Sequence, residues 1–227
     1  DVVARVWREI RPVLDEHGSR TPASTLGGLP YTEMVEEIEA MLKGIGEGAE
    51  RIRRIVYNLK DFMRPDLGEL NQNVDINAVV EASLLIVNNM IKKSTKAFTV
   101  DLARDLPRVR GNAQQLEQVV INLVTNACQS LPDAFRAIHV GTGIADDGQV
   151  VEVSVVDEGA GIPQDIVGRV MDPFFTTKRD SGGTGLGLSV SYNIVKAHGG
   201  ALLFESKPGG GTAATVRLPR AGARRLC

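Results

Sequence analysis

Three short runs within Asp157–Gly187 decide how this chain is read. They are Asp157-Glu158-Gly159-Ala160-Gly161-Ile162-Pro163, Asp172-Pro173-Phe174-Phe175-Thr176-Thr177-Lys178 and Gly182-Gly183-Thr184-Gly185-Leu186-Gly187. An acidic residue closes an apolar strand pattern, two glycine clusters follow, and a Lys stands between them. Glycines let a backbone approach a ligand and aim successive N–H groups at it. A helix that starts just after them offers free N–H groups to an anion. The combination implies a nucleotide site, with a carboxylate for a base edge and glycines plus Lys178 for phosphates.

The residues upstream set the context for that site. The helical pattern of Ala113–Leu131 has a buried stripe of Leu116, Val119, Val120, Leu123, Val124, Ala127 and Leu131. Asn122 and Asn126 fall one turn apart beside it. Two neutral carboxamides there can hold a hard cation through oxygen, or can simply hydrogen-bond strand ends. Cys128 on the same helix reads as a packed small residue, since no positive partner is evident.

From Val74 onward, strand and helix patterns are mixed. Val74–Ile76, Ala97–Leu102 and Arg108–Arg110 read as strands. Asn77–Lys92 reads as a helix with Ala78, Ala82, Leu85 and Ile86 on one face. Ile138–Ala145 and Val150–Val156 form a hairpin around Asp146-Asp147-Gly148. Leu186–His198 is a helix stopped by Gly199-Gly200. Ala201–Ser206 and Thr212–Leu218 make a last hairpin. The fold class predicted is α+β: a two-layer α/β sandwich, one mixed sheet with helices on one face.

The first 66 residues are of another kind. Val3–Leu14 is helical by pattern, with Pro12 expected to kink or interrupt it. Gly18–Pro30 reads as a loop, and helix resumes near Tyr31. Ile45, Ala49, Ile52, Val56, Leu59 and Met63 then alternate steps of four and three, the spacing of helices packed lengthwise. Gly44, Gly46 and Gly48 weaken its start by about 1 kcal/mol each relative to Ala. Such faces predict an antiparallel hairpin that pairs with a second chain as a four-helix bundle; a hairpin lying on its own globular domain is the alternative. The expected organisation is a helical dimerisation hairpin at 1–66, a linker at 67–73, the α/β domain at 74–221 and a tail at 222–227.

Composition excludes several classes. The 227 residues are 43% hydrophobic with a net charge of -2, so no global pull toward nucleic acid or anionic membrane exists. No apolar run is long enough to span a bilayer, and no signal peptide is evident. Two distant cysteines, Cys128 and Cys227, suggest no disulfide framework and fit a reducing, cytoplasmic setting. No direct membrane contact by this segment is expected. The chain starts at Asp1 rather than Met, which reads as a fragment whose parent is either soluble or membrane-anchored.

These motifs resemble those of sensor histidine kinases. The Asn122/Asn126 helix resembles their N box, and Asp157–Gly161 the first glycine box. Pro173-Phe174-Phe175 resembles the F box, and Gly183–Gly187 the second glycine box. Order and spacing match over about Asn73–Pro219. The resemblance implies the Bergerat ATP-binding fold shared with gyrase, MutL and heat-shock chaperone ATPases, with ATP and Mg²⁺ as cofactors. A P-loop is absent, and Gly183-x-Gly-x-Gly does not follow a strand directly, which argues against a dinucleotide-binding fingerprint.

The resemblance also assigns roles. Asp157 would accept from the adenine amino group, with Gly159 and Gly161 lining the base pocket and Thr212 helping to hold it. Asn126 would be the main Mg²⁺ ligand, with Asn122 beside it. Lys178, with Arg179, would neutralise phosphate charge. Gly183, Thr184, Gly185, Leu186 and Gly187 would wrap the phosphates, and Asp172–Thr184 would be a lid anchored by Phe174 and Phe175. ATPase branches carry a Glu where Asn122 stands. Asn122 has no basic group to activate water, so the γ-phosphate should pass to a protein side chain.

The helix of Glu47–Phe62 resembles the second helix of the dimerisation and phosphoacceptor domain. Its partner normally carries His-Glu-x-x-Asn-Pro, and no such motif occurs here. His17 reads as a solvated loop residue, His139 as outward-facing on a strand, and His198 as a helix-end residue suited to the dipole. The expectation is a homodimeric kinase core that binds Mg²⁺–ATP without phosphorylating itself. The parent would phosphorylate a histidine upstream of Asp1 and then an aspartate of a response-regulator receiver domain. A Bergerat ATPase and a non-catalytic ATP-binding scaffold are the alternatives.

Overall fold

The computed structural model describes residues 2–20, 25–26, 28–63, 70–146, 148–178 and 183–223; side chains at 17–20, 26, 50–51 and 54–63 lie outside it. Arg179, residues 67–69 of the expected linker and residues 224–227 of the expected tail are outside the described residues. The chain divides into two compact units, 1–57 and 58–227.

The first unit begins with α1 (Val2–Arg20), a two-residue ladder of β1 (Thr25–Leu26) and β2 (Leu29–Pro30), and α2 (Tyr31–Met63), whose end falls in the second unit. Tyr31 donates to Asp15 at 2.6 Å, and Arg11 pairs with Glu39. Residue numbers rise along α1 as they fall along α2, so the helices are antiparallel. Helix α1 runs through Pro12 without interruption. Pro12 removes one internal hydrogen bond, and the Arg11 and Asp15 links to α2 bracket that position. Within the expected loop at 18–30, helix continues to Arg20 and residues 25–26 pair with 29–30, while 21–24 and 27 lie outside the described residues. Val3, Val6, Ile10 and Val13 of α1 and Ile45 and Ile52 of α2 are exposed. Among the described residues no helix is long and apolar enough to cross a membrane.

The second unit is a mixed α/β sandwich. Its strands are β3 (Gln72–Val74), β4 (Ala97–Leu102), β5 (Val109–Gly111), β6 (Ala137–Ala145), β7 (Val150–Asp157), β8 (Ala201–Ser206) and β9 (Thr212–Pro219). Five of them form one sheet in the order β4-β6-β7-β9-β8, and β3 pairs with β5 separately. Only β4 and β6 run parallel within the large sheet. The helices are α3 (Ile76–Ser94), α4 (Ala113–Ser130), α5 (Gln164–Val167) and α6 (Gly187–Ala197).

The core lies between the sheet and α3, α4 and α6. Helix α4 contributes Leu116, Val119, Val120, Leu123, Val124, Ala127 and Cys128. Each fully buried Val or Leu there stabilises by about 1.5–3 kcal/mol. Strand β7 answers with Val151, Val153 and Val155, which share one face because strand side chains alternate. Burial raises the Cys128 thiol pKa, as expected of a packed residue rather than a nucleophile.

Helix α3 buries a different face from the one predicted. Ile76, Val79, Val80, Ser83, Val87 and Ile91 point inward, while Leu85 and Ile86 are 77% and 64% exposed. Ser83 is tolerated inside because its hydroxyl donates to Val79 O at 2.7 Å.

Candidate functional site

Asp157 is brought to the site by register. It is the last residue of β7 and falls on the same face as Val151, Val153 and Val155, so its carboxylate is carried inward and is only 7% exposed. Ser130 Oγ donates to Asp157 Oδ1 at 2.9 Å, and Gly159 N–H donates to the same oxygen at 2.8 Å. Burial pushes the Asp157 pKa up. The bonds from Ser130, Gly159 and the Thr212 backbone, and the charge of Lys178, pull it partly back.

The glycines around Asp157 serve close approach. A methyl at Gly159 would overlap Ser130 Oγ and stand 2.6 Å from Asp157 Oδ1. Gly161, at φ +70°, leaves room only for Lys207 O, and Gly211, at φ +80°, only for Asp157 O. Gly209 N–H donates to Ala160 O at 2.8 Å. The loops at 158–163 and 207–211 thus pack backbone against backbone, with Thr212 directly opposite Asp157 in the ladder.

Asn122 meets the helix that follows the second glycine cluster. Its Nδ2 donates to Gly187 O and to Ser191 Oγ, both at 3.2 Å. The amide nitrogen is committed to α6, and the oxygen is the atom this side chain can offer a cation. Asn126, half-buried, follows one turn later. The N-terminus of α6 therefore lies beside Asn122, where unpaired N–H groups favour negative charge.

The segment before α6 folds onto the F-box residues. Phe174 N–H donates to Gly185 O at 2.9 Å. Gly185 has φ +68°, and a Cβ there would sit 2.5 Å from the Phe174 carbonyl carbon. Phe174 itself has φ +66° and is 58% exposed, so it is tied down by its backbone and not, as expected, by its ring. Phe175 is the anchored ring, with the Arg169 guanidinium 4.7 Å from its centre. Gly183 N–H donates to Lys178 O at 2.9 Å. Thr184 Oγ1 accepts from Leu186 N–H at 3.4 Å, and the Leu186 side chain is fully buried. Leu186 therefore has only its backbone to offer a ligand. Burial lowers the Lys178 pKa while Asp157 raises it, so this cation stands close enough to interact with the Asp157 carboxylate.

Two residues of the site escaped the sequence reading. Ser130 continues the Asn122, Asn126 ladder by one more turn, a spacing that was visible. Ser206 bonds Ile162 N–H, Gly211 O and Thr212 Oγ1, and no local pattern announces it. His198 stands at the C-terminus of α6, as expected, and is 6% exposed because it packs against Gly111. Its Nδ1 donates to Ile194 O at 2.7 Å, and its Nε2 accepts from Asn112 N–H at 3.0 Å. His139 Nδ1 lies 2.9 Å from Thr99 Oγ1. Helix α1 continues through His17.

Residues 111–222 match the family of histidine kinase-, DNA gyrase B- and HSP90-like ATPases. The chain is 32% identical over 208 residues to the sensor histidine kinase ZraS of Escherichia coli (strain K12), covering 89% of this chain and 43% of ZraS. It is 34% identical over 184 residues to the signal transduction histidine-protein kinase AtoS of the same strain, covering 81% of this chain and 29% of AtoS. It thus spans under half the length of either relative. Among solved structures it resembles the mycobacterial sensor histidine kinase MprB, at 28% identity and a TM-score of 0.58, over 69% of this chain and 99% of that one. Members of this fold family generally bind Mg²⁺–ATP. On these matches the second unit belongs to the histidine-kinase branch of the GHKL ATP-binding domains, preceded in this chain by a helical region.

Proposed function

We propose that this chain is the Mg²⁺–ATP-binding catalytic core of a two-component histidine kinase, which directs the γ-phosphate to a histidine and then to a response-regulator aspartate. The observation that carries this reading is Asp157. It is a buried carboxylate at a strand end, with Oδ1 occupied by Ser130 and Gly159, beside a helix carrying Asn122 and Asn126. A buried carboxylate with that much scaffolding suits a base amino group, which donates to it.

The donor set fits the cofactor. Asn122 and Asn126 supply neutral oxygens one turn apart, and a methyl at Gly187 would meet nothing nearer than Asn122 Cγ at 3.7 Å. Phosphates between the start of α6 and these amides would complete the coordination of a hard cation. Bound Mg²⁺ would neutralise phosphate charge during transfer. Lys178 adds a second positive group, and Arg179 is proposed beside it. Gly183, Thr184, Gly185 and Gly187 would supply backbone to the phosphates.

The helical region, proposed as residues 1–66, would make a four-helix bundle with a second copy. The exposed Ile45 and Ile52 support this, since an apolar heptad seam is stable only when covered. None of the three histidines stands in a His-Glu-x-x-Asn-Pro sequence, so the acceptor is proposed to be a histidine outside these 227 residues.

ATP-dependent thermal stabilisation tests the binding step. At about 100-fold excess over Kd, Mg²⁺–ATP should add roughly 2.7 kcal/mol, and Asp157→Asn should abolish the gain. Acid-labile phosphate should appear on an added His-containing kinase hairpin and not on this chain. Label on this chain, or phosphate released only to water, would overturn the reading.

A further inference from the structure

We infer that Ser206 is a specificity-positioning residue: its hydrogen bonds turn the Thr212 hydroxyl into an acceptor facing the base pocket, which favours a 6-amino purine over a 6-oxo purine. The inference rests on the ATP-site reading above and deepens it.

Hydrogen counting fixes the donor in each bond. A serine hydroxyl has one hydrogen to give and two lone pairs to receive. Ser206 Oγ has three partners: Ile162 N–H at 2.7 Å, Gly211 O at 2.8 Å and Thr212 Oγ1 at 2.9 Å. Ile162 N–H can only donate, and Gly211 O can only accept. The Ser206 hydrogen therefore goes to Gly211 O, and Thr212 must donate to Ser206. The Thr212 hydrogen is spent, and its oxygen keeps only lone pairs for anything else.

The position of that oxygen gives it consequence. Thr212 is directly opposite Asp157 in the β7–β9 ladder, and residues directly opposite share a sheet face. The pocket edge then presents two acceptors side by side, the Asp157 carboxylate and the Thr212 oxygen. An adenine amino group has two hydrogens for such a pair, directly or through a water. A 6-oxo group has only lone pairs and meets like against like. Without Ser206, Thr212 is free to turn its hydrogen toward a 6-oxo oxygen. The same serine also fixes the loop at Ile162 to the turn at Gly211, so one hydroxyl joins both walls of the pocket.

The test compares ATP with inosine triphosphate, in which a 6-oxo group and an N1–H replace the 6-amino group and bare N1 of adenine. Dissociation constants for both are measured on the full chain as wild type, Ser206→Ala, Ser206→Thr and Thr212→Val, with melting temperatures alongside. Wild type should prefer ATP. Ser206→Ala should narrow that preference on the order of fivefold, the scale of one neutral hydrogen bond changing sign. Ser206→Thr, which keeps the hydroxyl, should retain the wild-type ratio. Thr212→Val should weaken ATP and leave inosine triphosphate unchanged, and it carries the test if Ser206→Ala does not fold. An unchanged ratio in Ser206→Ala, or equal weakening of both nucleotides by Thr212→Val, overturns the role of Ser206 while the ATP site stands. Failure of wild type to bind either nucleotide overturns both readings.

Discussion

Ser130 Oγ lies 2.9 Å from Asp157 Oδ1 and 2.8 Å from Ala127 O, so one hydroxyl hydrogen serves two acceptors. When Asp157 is ionised, the hydrogen is best given to the carboxylate, because hydrogen bonds to charged groups are the stronger ones. Ser130 thereby stabilises the ionised form of a carboxylate that burial disfavours.

This relation sets a pH dependence for nucleotide binding. In the proposed site an adenine amino group donates more strongly to an ionised Asp157, whose pKa is raised above the ordinary value of about 3.9. ATP affinity should be level above the raised pKa and fall as pH drops through it. Ser130→Ala removes a bond to the charged form, so the midpoint should move further up. Calorimetric Kd values from neutral to acidic pH check this. Affinity independent of pH, or a midpoint lowered in Ser130→Ala, would contradict it.

Asn122 acts as a donor as well as a candidate ligand. Its Nδ2 holds Gly187 O and Ser191 Oγ. Asn122→Asp keeps the shape but cannot donate to the Gly187 carbonyl, so it should lower stability by about 1–3 kcal/mol and weaken ATP binding. Asn122→Glu adds a base without the donor. It should release more phosphate per bound ATP than wild type if a water reaches the γ-phosphate in line. Unchanged release would count against the view that Asn122 suppresses hydrolysis.

Gly185→Ala should separate ligand binding from global folding. The left-handed conformation at φ +68° costs an alanine about 1–2 kcal/mol, and the added methyl would crowd Phe174 and Phe175. Both effects fall on the junction between the F-box residues and α6. ATP affinity should drop several-fold, while the unliganded melting temperature falls by only a few degrees, the size that strain of this order gives in a chain this long. A large fall in melting temperature with ATP affinity retained would show that the junction serves the core instead.

What was legible in the sequence follows from periodicity. The alternation Val151, Val153, Val155 extends to Asp157 and turns it inward by strand periodicity, and Asn122 and Asn126 share a face by spacing alone. Helix α3 buries a face other than the predicted one because it carries two apolar stripes. Leu85 and Ile86 look as core-like as Val79 and Val80, and Ser83 inside the true stripe disguises it. Ser130 and Ser206 act on partners 27 and 44 positions away. Such a contact depends on how β7, β8 and α4 are brought together, which no local pattern encodes. Pro12 marks the limit of propensity, since links to α2 on both sides accompany a helix that Pro alone would disfavour.

His198 supplies the last prediction. It is buried at the end of α6 with Nδ1 donating to Ile194 O and Nε2 accepting from Asn112 N–H, the backbone group at the cap of α4. Only the neutral ring can accept at Nε2, and burial lowers its pKa below the ordinary value of about 6.5. A base with a depressed folded pKa contributes stability that is complete above its unfolded pKa. That stability declines as pH falls below about 6.5 toward the folded pKa, because the unfolded chain takes up the proton first. Protonation would also break the link between the end of α6 and the start of the Asn122 helix. Denaturant melts should therefore show stability falling below about pH 6.5 in wild type. His198→Gln should be less stable at neutral pH and lose the part of that fall due to His198. A variant that keeps the whole acid-dependent fall would place its source in another group.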